Sequence, residues 1–141
     1  MGDAAPAVTG KQFVLVIGLL LIIVGIVYGV RWLRKPPTQP DAEQGRAVAE
    51  QFLTTVRDGK AGEAWNAATA EFKSIEGRES FMRKVKSTPV LTGPLQFNSS
   101  QQVAVQDQPR TEFLFQSPDA KIVRVLIGYE QGNWKVDRLS L

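Results

Sequence analysis

The sequence predicts an α+β fold: one N-terminal transmembrane helix, then a small domain of about three helices packed on a curved antiparallel sheet of about four strands. Three observations support this prediction. An apolar run without charge occupies residues 12–30 of the 141-residue chain. Beyond it, apolar residues recur every three or four positions as far as Pro94, and at every second position afterwards. Helical periodicity followed by strand periodicity is typical of helices packed on one face of an antiparallel sheet.

The apolar run predicts a membrane span. Its 19 uncharged residues would extend roughly 28 Å as a helix, which is close to the hydrocarbon thickness of a bilayer. A cleaved signal peptide is the competing interpretation, but the run is longer than the usual h-region and no small-residue cleavage site follows it. We therefore predict an uncleaved signal-anchor and a lipid bilayer as partner. The predicted regions are an N-terminal tail (1–11), a transmembrane helix (12–34), a Pro-rich linker (35–41) and an α+β domain (42–141).

Three glycines within the run form a candidate helix-packing face. Gly18, Gly25 and Gly29 lie within about 40° of one another on a helix, and Gly25 and Gly29 form a GxxxG pattern. Small residues at this spacing let two membrane helices approach closely. Other membrane-protein subunits are therefore predicted partners, although glycine is also common in membrane helices that pack on nothing.

The net charge of +3 comes from the residues around the apolar run. From Asp41 onward the chain has 13 Lys and Arg and 13 Asp and Glu, so the domain is neutral. A neutral domain gives no reason to expect nucleic-acid binding. The chain contains no Cys and no His, which excludes disulfides, thiolate chemistry and histidine acid–base catalysis. We predict no cofactor and no metal site.

The predicted elements of the domain follow the two periodicities. Amphipathic stripes predict helices over 41–58, 61–72 and 81–85, the last ended by Pro89. Alternating apolar residues then predict four strands. These are centred on residues 103–105, 113–115, 122–129 and 134–136, with hairpin turns at 117–120 and 131–133.

Three segments carry a resemblance to a known family. The first is AEQFLTTVRDGKAGEAWNAATAEFKS (49–74), a helix, an Asp-Gly stop and an alanine-rich second helix. The others are ESFMRKVKSTPVL (79–91) and the closing YEQGNWKVDRLSL (129–141). Their order and spacing over residues 43–141 resemble the nuclear-transport-factor-2-like superfamily, a cone-shaped α+β domain. The resemblance implies an enzyme, a ligand binder or a non-catalytic module, since the family contains all three.

The side of the membrane is left open by two opposing indications. Arg31, Arg34 and Lys35 follow the apolar run, against Lys11 and the α-amino group before it, which favours a cytoplasmic domain by about one charge. Anchored bacterial members of the family, including an assembly subunit of secretion channels, carry the domain outside the cytoplasm. We slightly favour the extracytoplasmic, periplasmic side, with the cytoplasm as the open alternative.

The sequence gives no catalytic constellation, and we predict that the protein is not an enzyme. Enzymes of the family generally place acids, often with a histidine, inside the cone, and this chain has no histidine. Most acids fall on predicted helix surfaces and turns, where nothing apolar would raise their pKa. Glu112 and Asp137 lie in predicted strands, where one of them could face a pocket, although a solvated position is the expected one.

Two further groups of residues are candidate binding surfaces. Six aromatic residues could line a cone pocket for a small apolar ligand, or simply form the core: Trp65, Phe72, Phe97, Phe113, Phe115 and Trp134. Four basic residues around the third helix could meet anionic headgroups or an acidic partner, or be a solvated face: Arg78, Arg83, Lys84 and Lys86.

Together these observations favour a non-enzymatic, membrane-anchored accessory or assembly subunit of a membrane protein complex. In this hypothesis the transmembrane helix and the juxtamembrane α+β domain both dock on the complex. The alternative is a membrane-tethered ligand-binding or sensory domain that uses the cone cavity.

Overall fold

The structure is a computed structural model that describes residues 39–141 together with Ile22, Gly25 and Ile26. The chain divides into two compact units, Met1–Pro36 and Pro37–Leu141. In the first unit the three described residues are helical. The second unit contains every element discussed below.

The predicted transmembrane helix is the main point on which the prediction is wrong. Among the described residues, no helix has both the length and the apolar character that a membrane crossing requires. The longest described helix in the second unit, Ala42–Arg57, has 16 residues and carries charges along one side, whereas a span needs about 20 predominantly apolar residues. The predicted fold class with its spanning helix, and the predicted single-pass membrane localisation, are therefore corrected. Most of 12–34, the tail 1–11 and the linker residues 35–38 lie outside the described residues.

Residues 39–141 form an α+β domain with helices followed by an antiparallel sheet, as predicted. The helices are α1 (Ala42–Arg57), α2 (Ala61–Ala67), α3 (Ala70–Ile75), α4 (Arg78–Ser87) and α5 (Pro89–Thr92). The strands are β1 (Gln96–Val105), β2 (Gln108–Gln116), β3 (Ile122–Glu130) and β4 (Asn133–Ser140).

The first helix follows its amphipathic stripe closely. It buries Ala49, Phe52, Leu53 and Val56 against the rest of the domain. It ends where the sequence predicts, because Gly59 adopts a φ of 80° that the helix cannot continue through and that glycine tolerates. The burial of one stripe fixes which side of α1 faces the sheet.

The second predicted helix is wrong in one respect: residues 61–72 form two helices rather than one. Ala68 and Thr69 are extended, with ψ of 170° and 164°, and this separates α2 from α3. The Thr69 side chain then caps α3 by accepting from the backbone N–H of Phe72 at 3.1 Å, a bond typical of threonine at this position. Pro89, predicted to end the third helix, also opens the short helix α5.

The sheet is a meander in which each strand pairs antiparallel with the next, in the order β1-β2-β3-β4. Two-residue turns with positive φ join β1 to β2 at Gln106–Asp107 and β3 to β4 at Gln131–Gly132, as type I′ hairpins require. Irregularities in register lie near the start of β1 and opposite Leu126–Ile127. At the second of these, Asp137 is the extra residue on β4, which forms a β-bulge.

The core lies between the helices and one face of the sheet. Its largest fully buried side chains are Phe81, Phe113, Phe115, Leu91, Ile127, Val56, Val123, Val125 and Val136. Phe52, Phe72 and Phe81 contact one another with ring centroids 5.3–6.0 Å apart. The helix–sheet interface is therefore filled by side chains.

Candidate functional site

The connection between α2 and α3 is tied to the sheet by three hydrogen bonds. The Thr69 backbone N–H donates to the carbonyl oxygen of Val136 at 3.0 Å, and the Thr69 hydroxyl donates to Asp137 Oδ1 at 2.7 Å. The backbone N–H of Ala70 donates to Glu130 Oε1 at 2.8 Å. These bonds satisfy donors that a helix start would otherwise leave unpaired. They fix the position of α2 and α3 relative to β4.

Asp137 is the buried polar centre of this connection. It is 3% exposed, and besides Thr69 its carboxylate has Arg110 Nη1 3.8 Å from Oδ2. Oδ2 has no hydrogen-bond partner among the described residues. Gly128 lies directly beneath, where an added Cβ would stand 2.8 Å from Oδ1. The expectation of a solvated strand-face acid is therefore wrong for Asp137, which is buried among Thr69, Gly128 and Arg110.

A groove lies beside this connection, bounded by α1, α2 and the start of β4. Its volume is about 390 Å³. The residues that line it are Val48, Gln51, Phe52, Thr55, Glu63, Ala64, Ala67, Trp134, Lys135 and Val136. One wall is the exposed edge of the α1 stripe, the other is α2, and β4 forms the floor.

The groove combines an aromatic floor with a charged rim. Trp134 is half-buried and packs edge-to-face on Tyr129, with ring centroids 4.9 Å apart. Lys135 is held by Glu130 at 2.9 Å, and Glu63 is exposed on the opposite wall. A rigid indole in a partly apolar recess with charges at the margin is the arrangement found at the centres of protein interfaces.

The six aromatic candidates do not converge on one pocket. Phe72, Phe113 and Phe115 are buried in the core, and Phe97 packs on Phe113 and Phe115 with the Arg46 guanidinium 4.4 Å from its ring centroid. The Trp65 indole N–H donates to the carbonyl oxygen of residue 76 at 2.7 Å. Trp134 alone among the six lines the groove.

The four basic candidates are divided by the structure. Arg78, Arg83 and Lys86 are exposed, while Lys84 is partly buried and bonds Glu76 at 3.3 Å. Because the four spread around α4 rather than along one side of it, they do not make a continuous surface.

The glycine candidates belong to the first unit. Gly18 and Gly29 lie outside the described residues. Gly25 is helical, and an added Cβ there would meet nothing within 4 Å among the described atoms.

Two carboxylates have shifted proton affinity. The pKa of Glu130 is lowered, chiefly because the backbone N–H of Ala70 and then Lys135 stabilise its charged form. The pKa of Asp119 is lowered by hydrogen bonds from Ser117 and Lys121 in the β2–β3 turn. The hydrogen bonds that cause these shifts stabilise the start of α3 at Ala70 and the β2–β3 turn. Within the described part of the chain no group of acids could hold a metal ion.

Sequence reasoning missed Thr69, Glu130 and the groove itself. The available signal was Thr69 followed by Glu71, a helix-start pattern inside the alanine-rich run.

Searches against protein-family models and against curated proteins find no match to this sequence.

Proposed function

We propose that the domain is a non-enzymatic accessory or assembly module that binds a segment of a partner protein in the groove between α1, α2 and β4. The observation that carries the proposal is the contrast between a filled interior and an open, aromatic-floored groove. A small-molecule site normally encloses 70–90% or more of its ligand, whereas a polypeptide segment needs a long recess with one or two deep anchor points.

The lining residues indicate the chemistry of the bound segment. Val48 and Trp134 are half-buried and supply the accessible apolar surface of the groove, while Phe52 and Ala64 line it but are almost fully buried. An apolar side chain of the partner would pack there, and this burial is the main source of affinity. Glu63 and Lys135 carry opposite charges on the two margins, so they fix the direction of the segment rather than its affinity.

The membership of the nuclear-transport-factor-2-like superfamily is part of the proposal. Its support is the order of helices before a four-stranded antiparallel meander, with a bulge in the last strand. A non-catalytic member of that family would use its surface rather than its interior.

Site-specific photo-cross-linking of the full chain in its host tests the proposal. A photoreactive residue at Thr55, which lines the groove, should capture one defined polypeptide. The same residue at Ser87, exposed at the end of α4, should not. Equal capture at both positions, or none at Thr55, would refute the groove as the binding site.

A small apolar ligand in the same groove is the second candidate, favoured by one observation. The volume of about 390 Å³ lies within the range of small-molecule pockets, about 300–1,000 Å³. A ligand that raises the Tm of the full chain, and no longer does so after Trp134→Ala, would favour this candidate over the protein partner.

A further inference from the structure

We propose that the outer edge of β1 pairs with the same edge of a second copy of this chain, joining two sheets into one antiparallel sheet. This surface is distant in the sheet order from the β4 groove, so the inference does not depend on the proposed function. It rests on which β1 backbone groups have no strand partner within residues 39–141, on the composition of β1 and on the contrast with β4.

The hairpin geometry identifies the free backbone groups. Val105 and Gln108 flank a two-residue turn, so they exchange both backbone hydrogen bonds, and every second pair along the ladder does the same. The intervening residues of β1 direct their N–H and C=O away from β2. These are Ser100, Gln102 and Ala104.

Pro109 supports this assignment. It lies opposite Ala104, in a pair where the geometry requires no hydrogen bond from its nitrogen. Proline, which lacks an N–H, is tolerated in a strand at such a position. In a register with the opposite alternation, Pro109 would lie in a hydrogen-bonded pair. Because proline has no N–H, one bond of the ladder would then be lost.

The composition of β1 leaves this edge without the usual protection. Natural edge strands carry charged residues or prolines, or are short. The ten residues Gln96–Val105 include no charge and no proline, and most are exposed. The one irregularity, between Phe97 and Ser99, lies at the start of the strand and leaves Ser100 to Ala104 regular.

The opposite edge of the sheet is protected in the ways that β1 is not. The N–H of Thr69 donates to the Val136 carbonyl, the bulge at Asp137 interrupts the strand, and Lys135 and Arg138 are charged. Within residues 39–141 the fold therefore covers one edge of the sheet and pairs no strand with the other.

A second copy of the chain fits the edge because an uncharged strand can meet itself without like-charge repulsion. About a two-fold axis, Gln102 lies opposite Gln102 of the second copy, which brings Ser100 opposite Ala104 and Gln101 opposite Val103. The outward N–H and C=O groups of both copies are then paired. A contact confined to these strands is small, so we expect a reversible dimer with micromolar Kd.

Sedimentation equilibrium of the full chain over a range of concentrations tests the inference. Gln102→Pro removes an outward N–H and leaves the β1–β2 bonds intact, whereas Gln102→Thr keeps the N–H. Both variants lose the hydrogen bond from Gln102 Nε2 to Gln39 Oε1 (2.7 Å), so Gln102→Thr is the matched control. We expect wild type and Gln102→Thr to dimerise alike and Gln102→Pro to dimerise at least about tenfold more weakly, roughly 1.4 kcal/mol.

A second variant keeps the test decisive if the proline disturbs folding. Gln102→Lys places two positive charges across the two-fold axis, so dimerisation should weaken and recover in high salt, which screens them. A monomer at all concentrations would overturn the inference. So would a dimer indifferent to both variants, or slow amide exchange at Ser100, Gln102 and Ala104 that does not depend on concentration.

Discussion

The hydroxyl of Thr69 is one of the side-chain groups that join the helical layer to the sheet beside the groove, and its removal gives the sharpest test of the fold. It accepts from the N–H of Phe72 as the cap of α3 and donates to the carboxylate of Asp137. Thr69→Ala removes both bonds at once. The backbone bond from Thr69 to Val136 does not involve the side chain and remains.

The expected loss of stability follows from the two bonds. Loss of a threonine cap costs about 1 kcal/mol. The Asp137 side chain is 4% exposed, and a buried acceptor left without its donor costs about 1–3 kcal/mol. The sum, about 2–4 kcal/mol, is a large part of the roughly 5–15 kcal/mol that stabilises a typical domain. For a domain of this size it lowers Tm by about 10 °C or more.

Urea unfolding of the full chain, followed by circular dichroism, measures this loss. Thr69→Ser retains the hydroxyl and loses only a methyl group, so it should cost less than about 1.5 kcal/mol. The double variant with Asp137→Ala should lose less than the sum of the single variants, because the two side chains share one bond. If Thr69→Ala stayed within about 0.5 kcal/mol of wild type, a range typical of inert surface substitutions, the reasoning would be refuted.

Two further predictions concern the same region. Gly128→Ala places a Cβ 2.8 Å from the Asp137 carboxylate and should lower the free energy of unfolding by about 1–3 kcal/mol. Glu130, whose pKa is lowered chiefly by the N–H of Ala70, binds its proton less readily in the folded state than in the unfolded one. Its stabilising contribution is therefore complete above the unfolded pKa and is lost as the pH falls through the folded pKa. The Tm difference between wild type and Glu130→Gln should accordingly shrink between pH 6 and pH 3.

Matched controls separate these effects from general ones. Gly93→Ala meets only a backbone oxygen at 3.5 Å, an ordinary contact, and should leave stability nearly unchanged. Glu79→Gln changes an exposed acid and should give a Tm difference that does not follow the Glu130→Gln profile. Equal effects of the two glycine variants, or identical pH profiles of the two glutamine variants, would contradict the account.

Local sequence signals predicted the elements whose boundaries are set locally. The α1 stripe predicted the burial of Phe52 and Val56, and the Asp58-Gly59 stop lies where the helix ends. The Gln131-Gly132 turn predicted the last hairpin, since positive φ at both positions favours glycine at one of them. Each of these features depends on residues within about ten positions of one another.

The features that the sequence did not predict depend on distant contacts. An alanine-rich run favours one continuous helix, whereas the break is tied to the sheet by bonds from Thr69 to β4, 67 and 68 residues away, and from Ala70 to Glu130. Asp137 lies in a strand, where a solvated side chain is the simpler expectation, and its burial depends on Thr69 and Arg110, which are distant in sequence. The groove depends on where α2 lies relative to Trp134, which no local pattern encodes.

The predicted membrane span was inferred from the apolar run alone. A hydrophobic run of about 20 residues predicts a span only as a continuous helix, and the described residues contain no such helix. The packing role predicted for Gly18, Gly25 and Gly29 depended on that span, and the proposed function does not rely on it.

Blocking the groove and measuring partner binding tests the proposed function directly. Ala67 is exposed and lines the groove, whereas Asn66, its neighbour on α2, is exposed and does not. With the polypeptide captured from Thr55 as ligand, titration calorimetry of the full chain should give at least about a tenfold weaker Kd, roughly 1.4 kcal/mol, for Ala67→Arg. Asn66→Arg should bind as wild type does. Unchanged binding by Ala67→Arg, or an equal loss in both variants, would contradict the groove as the functional site.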